Sequence, residues 1–277
     1  MTLSINTNIS ATRASHNLAI NHANLQKSLD RLSSGKRITD PSDDAGGLAV
    51  AMKLENKSKL LTGVSNSISN AISFLQVQDG ALQSVADIVS RIGELEAMYK
   101  DVTKSADDKA TYDAEFTDLK AQINSIAANT KFNGVDVFGA TTANEMKVSL
   151  DENLSITSGF IDLNDDTLLG TELTALVGFA SLTNTVAVGT TGNVADTLDE
   201  IAGRRATNGG QVRRLQYALA NTQSQITNLT AANGRIVDVD IAAESSNLAR
   251  QQILTQASAA MTAQANTSND VALMLLQ

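Results

Sequence analysis

The sequence predicts a mainly α-helical fold, an elongated antiparallel coiled-coil or helical rod with a small β-hairpin-rich middle portion. Apolar residues recur at alternating steps of three and four in residues 64–126 and 194–275, a spacing typical of packed helices. Residues 131–157 instead carry turn signals and short alternating stretches. Aromatic residues make up only 3% of the chain and tryptophan is absent, which favours close contact of slender helices over a thick core.

Residues 1–34 predict a first helix that packs on a helical partner. Its leucines at 18, 25, 29 and 32 fall on one helical face at steps of seven, four and three. A helix surrounded by solvent would normally carry many charges. Between Thr2 and Ser34 the charged residues are Arg13, Lys27, Asp30 and Arg31.

Residues 35–54, GKRITDPSDDAGGLAVAMKL, predict a connector between helices. Gly35 is typical of a helix end, and TDPS at 39–42 is typical of a helix start. We therefore expect one helix to end at Gly35 and a short helix to begin near Ser42.

The same stretch lacks the pattern of a phosphate or metal loop. A phosphate loop requires glycine five residues before Gly35 and Ser or Thr after Lys36, where the chain has Asp30 and Arg37. The adjacent pair at 43–44 would diverge by about 100° on a helix, so we expect no cation to be held by both carboxylates.

The next two segments predict a long helix and a shorter one. The long helix begins near Val64 and keeps its apolar seam to Tyr99, with Gln78 and Glu96 in the seam. The shorter one ends at Asn129. Its apolar face consists of Tyr112, Phe116, Leu119, Ile123 and Ile126.

The middle of the chain predicts β-hairpins. The segment NTKFNGVDVFG contains an Asn-Gly turn, and MKVSLDENLSIT alternates on either side of residues 151–153. Residues 141–192 are rich in Thr, Gly, Asn and Asp. We expect a small β-rich insertion or an exposed lobe there.

Helix returns from Val194 to Ile236, again with apolar residues at steps of four and three. The last segment, 241–277, resembles the first in its low charge. The order of segment types in the second half therefore mirrors the first half, which predicts that the chain folds back on itself with both ends together.

Composition excludes several classes of function. The net charge of −9 and the pI of about 4.7 argue against nucleic-acid binding. Without cysteine there is no disulfide and no thiolate metal site. No run of about 18 apolar residues predicts a membrane span. The first residues lack the basic and apolar regions of a cleavable secretory signal, so any export is expected to follow another route.

Catalysis and ion binding are not predicted either. His16 and His22 cannot share a helical face with a third ligand, and no nucleophile motif accompanies them. Asp162 and Asp166 fall in a stretch that begins like a calcium loop, but Thr167 replaces the required glycine and residue 173 is leucine where glutamate is needed. We expect no enzyme, cofactor or metal. The alternative is an acidic hydrolase acting through Asp162 or Asp166.

The low-charge ends leave two interpretations open. Residues 1–34 and 241–277 could simply pack on each other, or their pairing could leave apolar residues that other copies of the chain must cover, because contacts that do not close build helical filaments. The second interpretation predicts a subunit interface formed by Leu3, Ile5, Ile9, Leu18, Leu25, Leu29, Leu32, Leu254, Ala257, Met261, Ala265, Ala272 and Leu275.

Several stretches resemble bacterial flagellin. They are SINTNISATRASHNL, LSSGKRITDPSDDAGGLAVAMKL, NTKFNGVDV, RIVDVDIAAESSNLARQQIL and QASAAMTAQANTSNDVALMLLQ. The resemblance covers roughly 1–140 and 193–277, in the family's order and at both termini. It implies a non-enzymatic, extracellular subunit that polymerises into the flagellar filament, exported without a cleaved signal peptide. A hook–filament junction protein or a surface adhesin of the same family is the alternative.

The resemblance also implies a division of the chain. Residues 1–34 and 241–277 would form the inner tube of the filament, and 35–54 would connect it to a surrounding layer built by 55–140 and 193–240. Residues 141–192 would be a short variable surface region. The charges of the connector would hold subunits in register. The connector residues are Gly35, Lys36, Arg37, Asp40, Asp43 and Asp44.

Further partners follow from the resemblance: filament cap and hook-junction proteins, an export chaperone, and a host Toll-like receptor. The chaperone would mask the C-terminal apolar residues. The receptor motif resembles SRIGEL at 90–95, where Arg91 and Leu95, with Glu115, match the family's positions, and Ser90 and Gly93 replace longer side chains. The alternative is that Leu95 faces the helix pair and Arg91 is a solvated charge. The residues that the chaperone would mask are Leu254, Met261, Leu273, Leu275 and Leu276.

Overall fold

The computed structural model describes residues 8–138, 145–147, 155–157, 175–179, 181–182 and 193–274. The chain divides into two compact units, Met1–Ser58 with Thr227–Gln277, and Lys59–Ile226. The predicted class, mainly α with a small β-hairpin portion, is confirmed. The predicted four-part division of the chain stays a prediction. The long helices are α1 (Ile9–Ser34), α2 (Ala45–Tyr99), α3 (Ala106–Asn129), α4 (Val194–Val237) and α5 (Ile241–Met274).

Helix α1 has a clear cap at each end. The Asn8 side-chain oxygen accepts a hydrogen bond of 2.9 Å from the backbone N–H of Ala11, which satisfies a donor of the first turn. At the other end Gly35 has φ 70°, a left-handed conformation that glycine adopts without strain. The predicted end of the first helix at Gly35 is confirmed.

Helix α2 is a single helix of 55 residues, so the expected short helix near Ser42 is wrong in its length. The helix also begins three residues later than expected, at Ala45. Pro41 is the only proline, and it lies before the helix. The glycines at 46, 47 and 63 each cost about 1 kcal/mol relative to alanine, which is too little to end a helix that packs along its length.

Helix α3 begins with a capping box. The Ser105 hydroxyl accepts a hydrogen bond of 3.2 Å from the Asp108 backbone N–H, and the Asp108 carboxylate accepts one of 3.0 Å from the Ser105 backbone N–H. The hydrogen bonds that the Asp108 carboxylate accepts from the Ser105 backbone N–H and from the Ser105 hydroxyl lower the pKa of Asp108. The helix ends at Asn129, as the sequence predicts.

Both predicted hairpins are present. Strands β1 (Lys131–Phe132) and β2 (Val135–Asp136) pair antiparallel around Asn133-Gly134, where both residues have positive φ. Strands β3 (Glu145–Lys147) and β4 (Ser155–Thr157) also pair antiparallel, with Met146 opposite Ile156. Residues 158–174, which include Asp162 and Asp166, lie outside the described residues.

The unit Lys59–Ile226 has one apolar core to which α2, α3 and α4 contribute. The predicted seam of α2 is buried within it, and the rings of Phe74 and Phe132 meet edge-to-face at 6.0 Å. Because α3 and the first hairpin add to the α2–α4 pair, this part of the chain has a wider core than two helices alone would provide. Its largest fully buried side chains are Ile68, Leu75, Leu82, Ile92, Leu95, Phe116, Ile123, Leu176 and Leu182.

Candidate functional site

In the unit that contains the chain ends, α1 and α5 pack antiparallel along matching heptad faces. The inward residues of each helix recur at steps of three and four. We call these two rows the seam. On α1 the seam consists of Ala11, Ala14, Leu18, Asn21, Leu25, Ser28 and Leu32. On α5 it consists of Leu248, Gln251, Thr255, Ser258, Thr262 and Ala265.

Polar side chains of the seam find partners locally. The Asn8 amide donates to the backbone oxygen of Ala265 at 2.9 Å, and the Asn21 amide donates to the Ser258 hydroxyl oxygen at 2.6 Å. The hydroxyls of Thr255, Ser258 and Thr262 each donate at 2.7 Å to a backbone oxygen four residues earlier. Because these hydroxyls are satisfied within α5, the short side chains allow α1 to approach closely.

Larger apolar side chains of both helices lie outside the seam, and we call these the outer apolar residues. On α5, Ile253 is 66% exposed and Met261 is 64% exposed. By helical geometry Ile253 lies opposite the seam, and Met261 lies on its flank. From Gln251 onward, α5 therefore turns small and polar residues toward α1 and large apolar ones toward solvent, while Leu248 is a large apolar residue within the seam. The outer apolar residues are Ile9, Ile20, Leu29, Ile241, Ile253, Leu254 and Met261.

The structure places the predicted subunit-interface residues in two groups. Half-buried in the seam are Leu18, Leu25, Leu32 and Ala265. Exposed are Ile9, Leu29, Leu254, Ala257 and Met261. Outside the described residues are Leu3, Ile5, Leu275 and the side chain of Ala272. The two chain ends do pack on each other, and they still leave apolar side chains uncovered; contact of those side chains with other copies stays a prediction.

In the connector, Asp43 is bound to α1. Its carboxylate lies 2.5 Å from the Lys27 ammonium and 3.5 Å from the Arg31 guanidinium, and only 5% of the side chain is exposed. The hydrogen bond from Lys27 is the main reason why the pKa of Asp43 lies far below its ordinary value of 3.8. Arg31 also approaches Glu244 of α5 at 3.9 Å. This charge cluster holds the connector, α1 and α5 together within one chain.

Two connections between helices pair with each other through the main chain. The Arg37 backbone N–H donates to the oxygen of Val237 at 2.6 Å, and the Val239 N–H donates to the oxygen of Gly35 at 3.1 Å. Lys36 therefore forms an isolated antiparallel bridge with Asp238. The Arg37 guanidinium also donates at 2.8 Å to the oxygen of residue 236, in the last turn of α4, where a cation is favourable.

The two remaining connector acids organise the turn into α2. The backbone oxygen of Asp40 accepts from the backbone N–H of Asp43 at 3.0 Å. The Asp44 carboxylate accepts from the backbone N–H of Gly47 at 2.8 Å and so caps the helix. A Cβ on Gly47 would lie 2.3 Å from an Asp44 carboxylate oxygen, whereas one on Gly46 would meet nothing closer than 3.7 Å. The cap therefore requires glycine at position 47.

The predicted receptor residues do not share one exposed surface. Arg91 donates to Glu115 at 2.9 Å and to Glu94 at 2.7 Å, which raises the pKa of Arg91, with Glu115 as the main cause. Leu95 is fully buried in the core, so the alternative that it faces the helix pair is confirmed. A Cβ on Gly93 would lie 3.0 Å from Val194, so the start of α4 fills the space of a longer side chain.

Among the described residues, no cluster of three or more His, Asp or Glu side chains could hold a metal ion. His16 and His22 are both exposed on α1. None of the described helices contains a stretch apolar and long enough to traverse a lipid bilayer.

Comparison of the sequence with known protein families identifies the family to which the chain belongs. Residues 5–143 match the bacterial flagellin N-terminal helical region, and residues 191–276 match the bacterial flagellin C-terminal helical region. The chain belongs to the flagellin family. The resemblance found in the sequence is confirmed, and the two matched regions together contain α1 to α5.

Relatives of this flagellin-family chain match it over nearly their whole length. The flagellar filament 33 kDa core protein of Treponema phagedenis is 34% identical, with 99% of each chain covered. The flagellin of Halalkalibacterium halodurans is 33% identical, again with 99% of each chain covered. The crystal structure of Bacillus cereus flagellin is 29% identical and matches 61% of this chain and 94% of that one, with a TM-score of 0.46.

The hydroxyl residues that α5 contributes to the seam were not predicted from the sequence of this family member. Thr255, Ser258 and Thr262 recur at the heptad spacing, but a search for apolar periodicity passes over them. The signal that could have identified them is the combination of that spacing with hydroxyls able to bond to their own helix. The contacts of Asn8 and Asn21 with α5 were not predicted either, because their partners lie more than two hundred residues away in sequence.

Proposed function

We propose that this chain is a structural subunit that self-polymerises into the bacterial flagellar filament used for swimming motility. Membership of the flagellin family supports the proposal, and relatives are named flagellar filament core proteins, which favours the filament over a hook–filament junction or an adhesin. The observation that carries it is the set of outer apolar residues on α1 and α5. Other copies of the chain would cover them.

The exposure of these side chains provides a driving force for assembly. Fully burying one large aliphatic side chain is worth about 1.5–3 kcal/mol, so covering Ile253, which is 66% exposed, would contribute about 1–2 kcal/mol. Seven such residues recur along the two helices. Each contribution is modest, but a filament multiplies it because every subunit repeats the same contacts.

The polar composition of the seam on α5 also supports the proposal of self-polymerisation. An isolated pair of helices gains stability by turning its most apolar residues inward. Here α5 places Gln251, Thr255 and Ser258 inward and leaves Ile253 outside. That arrangement costs stability in a solitary molecule and becomes favourable once neighbours surround the pair. The α1–α5 pair would thus lie in the filament interior, and the connector would lead away from it.

Seeded polymerisation of purified chain tests the proposal. We expect Ile253→Gln and Met261→Gln each to raise the critical concentration about five- to thirty-fold, since 1.4 kcal/mol corresponds to a factor of ten. Gln252→Ser is the matched control, because Gln252 is an exposed polar neighbour on the same helix. Circular dichroism should show unchanged helicity in all three variants.

Two results would contradict the proposal. One is an unchanged critical concentration in the double variant Ile253→Gln/Met261→Gln. The other is filament growth by a chain that lacks residues 1–34 and 241–277. Both deletions remove the α1–α5 pair, so each alone should already abolish growth.

We propose further partners before and during assembly, because the resemblance to flagellin implies them. An export chaperone would cover Leu254 and Met261, both exposed on α5, and prevent premature association. We propose export to the cell exterior without a cleaved signal peptide, followed by addition under a cap protein and attachment through hook-junction proteins. Pull-down of the chaperone by wild-type chain but not by Leu254→Gln/Met261→Gln would support its binding site.

A host Toll-like receptor is proposed to contact Arg91 and Glu115, which are both 41% exposed at the side chain. Leu95 would act indirectly, by fixing the α2 face from the core. Receptor signalling by monomer should fall with Glu115→Gln, which also releases Arg91, and should be unaffected by a substitution such as Asp30→Asn in the other unit. Equal signalling by both variants would contradict this contact.

A further inference from the structure

Buried polar residues interrupt the apolar core of the unit Lys59–Ile226, and two of them, Gln78 of α2 and Asn208 of α4, carry side-chain amides. Gln78 of α2 is 1% exposed and Asn208 of α4 is 3% exposed, and both lie among fully buried leucines of the core. Fully buried leucines such as Leu82 and Leu215 lie further along the same helices, while Arg205 lies three residues before Asn208. Polar side chains at these positions therefore need a reason beyond stability.

The contacts of this layer cross between the helices. The Asn208 amide donates to the backbone oxygen of Leu75 at 2.9 Å. Next to it, the Arg205 guanidinium donates to the Asp79 carboxylate at 2.9 Å and also to the Gln83 side chain. One turn of α4 is thus joined to two turns of α2. A backbone oxygen recurs at every level of α2, whereas the Arg205 guanidinium is matched to the side chains of Asp79 and Gln83.

The same layer is incompletely satisfied. The Asn208 carbonyl oxygen and the Gln78 amide nitrogen are buried and have no hydrogen-bond partner among the described residues. A buried polar atom without a partner destabilises the folded state. Replacing both side chains by apolar ones of similar size should therefore leave the fold at least as stable.

A purely apolar interface between α2 and α4 would allow more than one alignment of the two helices. Heptad faces can slide by seven residues, about 10.5 Å, and still pair apolar with apolar. A slide of this size would take Asn208 away from the Leu75 oxygen and would separate Arg205 from Asp79. A single buried polar position is known to fix register in coiled coils at some cost in stability.

We propose that Gln78 and Asn208 are register-determining residues, which hold α2 and α4 at one alignment in the unit Lys59–Ile226. If the chain forms the filament as proposed, this layer also fixes the shape of the subunit that the filament repeats. The residues are positioning residues: both are buried in the core and would act through the alignment of the two helices.

Distance measurement by electron paramagnetic resonance tests the alignment in the monomer. The chain has no cysteine, so spin labels on Gln76→Cys and Thr207→Cys, both exposed, report one distance between α2 and α4. We expect a single narrow distance in the parent and a second or broadened population in Gln78→Leu/Asn208→Leu. That variant should melt at the same or a higher temperature.

The matched control is Thr222→Val. Thr222 is also a buried polar residue of α4, but its hydroxyl donates to the backbone oxygen of Ala218 in the same helix, at 2.9 Å, and makes no bond to α2. It should keep the single parental distance. A single parental distance in Gln78→Leu/Asn208→Leu overturns the proposal, as does equal broadening in Thr222→Val.

Polymerisation separates this inference from the proposed function. If parent chain forms filaments and Gln78→Leu/Asn208→Leu forms irregular or fewer ones, the link from register to filament is supported. Regular filaments from a variant whose distance has broadened overturn that link. Failure of the parent itself to polymerise would contradict the proposed function and leave the register result intact.

Discussion

The glycine pair at the start of α2 gives a sharp test of how the connector is built. In Gly47→Ala, the new Cβ would lie 2.3 Å from one carboxylate oxygen of Asp44 and 2.8 Å from its carboxylate carbon. The Asp44 side chain must swing away and give up its hydrogen bond of 2.8 Å from the backbone N–H of residue 47. In Gly46→Ala the nearest atom is 3.7 Å away, so nothing has to move.

The magnitudes follow from these distances. Loss of a helix N-cap costs about 1 kcal/mol, and replacing a helical glycine by alanine gains up to about 1 kcal/mol. Gly46→Ala should therefore stabilise the chain, while the two effects offset each other in Gly47→Ala. We expect the two variants to differ by about 1 kcal/mol, or about 2–4 °C in melting temperature for a chain of this size.

Thermal unfolding followed by circular dichroism measures the difference. In an Asp44→Ala background the cap is already absent, so Gly47→Ala should then stabilise the chain as much as Gly46→Ala does. If Gly47→Ala changes the melting temperature by the same amount with and without Asp44, the clash between the two residues is not the cause. Equal melting temperatures of the two single glycine variants would also refute the reasoning.

Two further predictions concern other close contacts. The pKa of Asp43 in the folded state lies far below its ordinary value of 3.8, so its contribution to stability is fully present above that value and is lost as the pH falls from there through the much lower folded pKa. In thermal unfolding at a series of pH values, the deficit of Asp43→Asn relative to the parent should begin to shrink below about pH 4, with Asp30→Asn as the control. A constant deficit would contradict the ion pair. Gly93→Ala should be less stable than Gly80→Ala by about 1–2 kcal/mol in chemical denaturation. The reason is that a Cβ at position 93 would lie 3.0 Å from Val194, whereas one at position 80 would meet no atom within 4 Å. Equal stability of the two variants would show that Val194 moves aside at no cost in free energy.

Much of the fold was predictable because its signals are local. Apolar residues at alternating steps of three and four identified the packed faces of α2 and α4. An Asn-Gly turn identified the first hairpin at 131–136. The second hairpin pairs residues 145–147 with 155–157, on either side of the stretch 151–153 around which the sequence alternates. Gly35 marked a helix end because its left-handed conformation follows from the lack of a side chain.

The inner face of α5 could not be predicted by the same rule. Apolar periodicity selects Leu254, Ala257 and Met261, which lie outside the seam, and passes over the hydroxyl residues that pack on α1. An intramolecular seam and a surface for other copies compete for the same apolar residues, and a single sequence does not say which surface receives them. The contacts of Asn8 and Asn21 depend on the register of two helices that are distant in sequence, so apolar periodicity does not predict them either.

The most direct test of the central claim measures whether the outer apolar residues become covered on assembly. A cysteine at position 253, in Ile253→Cys, would be the only thiol of the chain, and its reaction rate with a small maleimide can be compared in monomer and in filament. We expect fast labelling of the monomer, where residue 253 is exposed, and at least tenfold slower labelling of the filament. Equal rates in monomer and filament would contradict the claim that neighbouring copies cover α5.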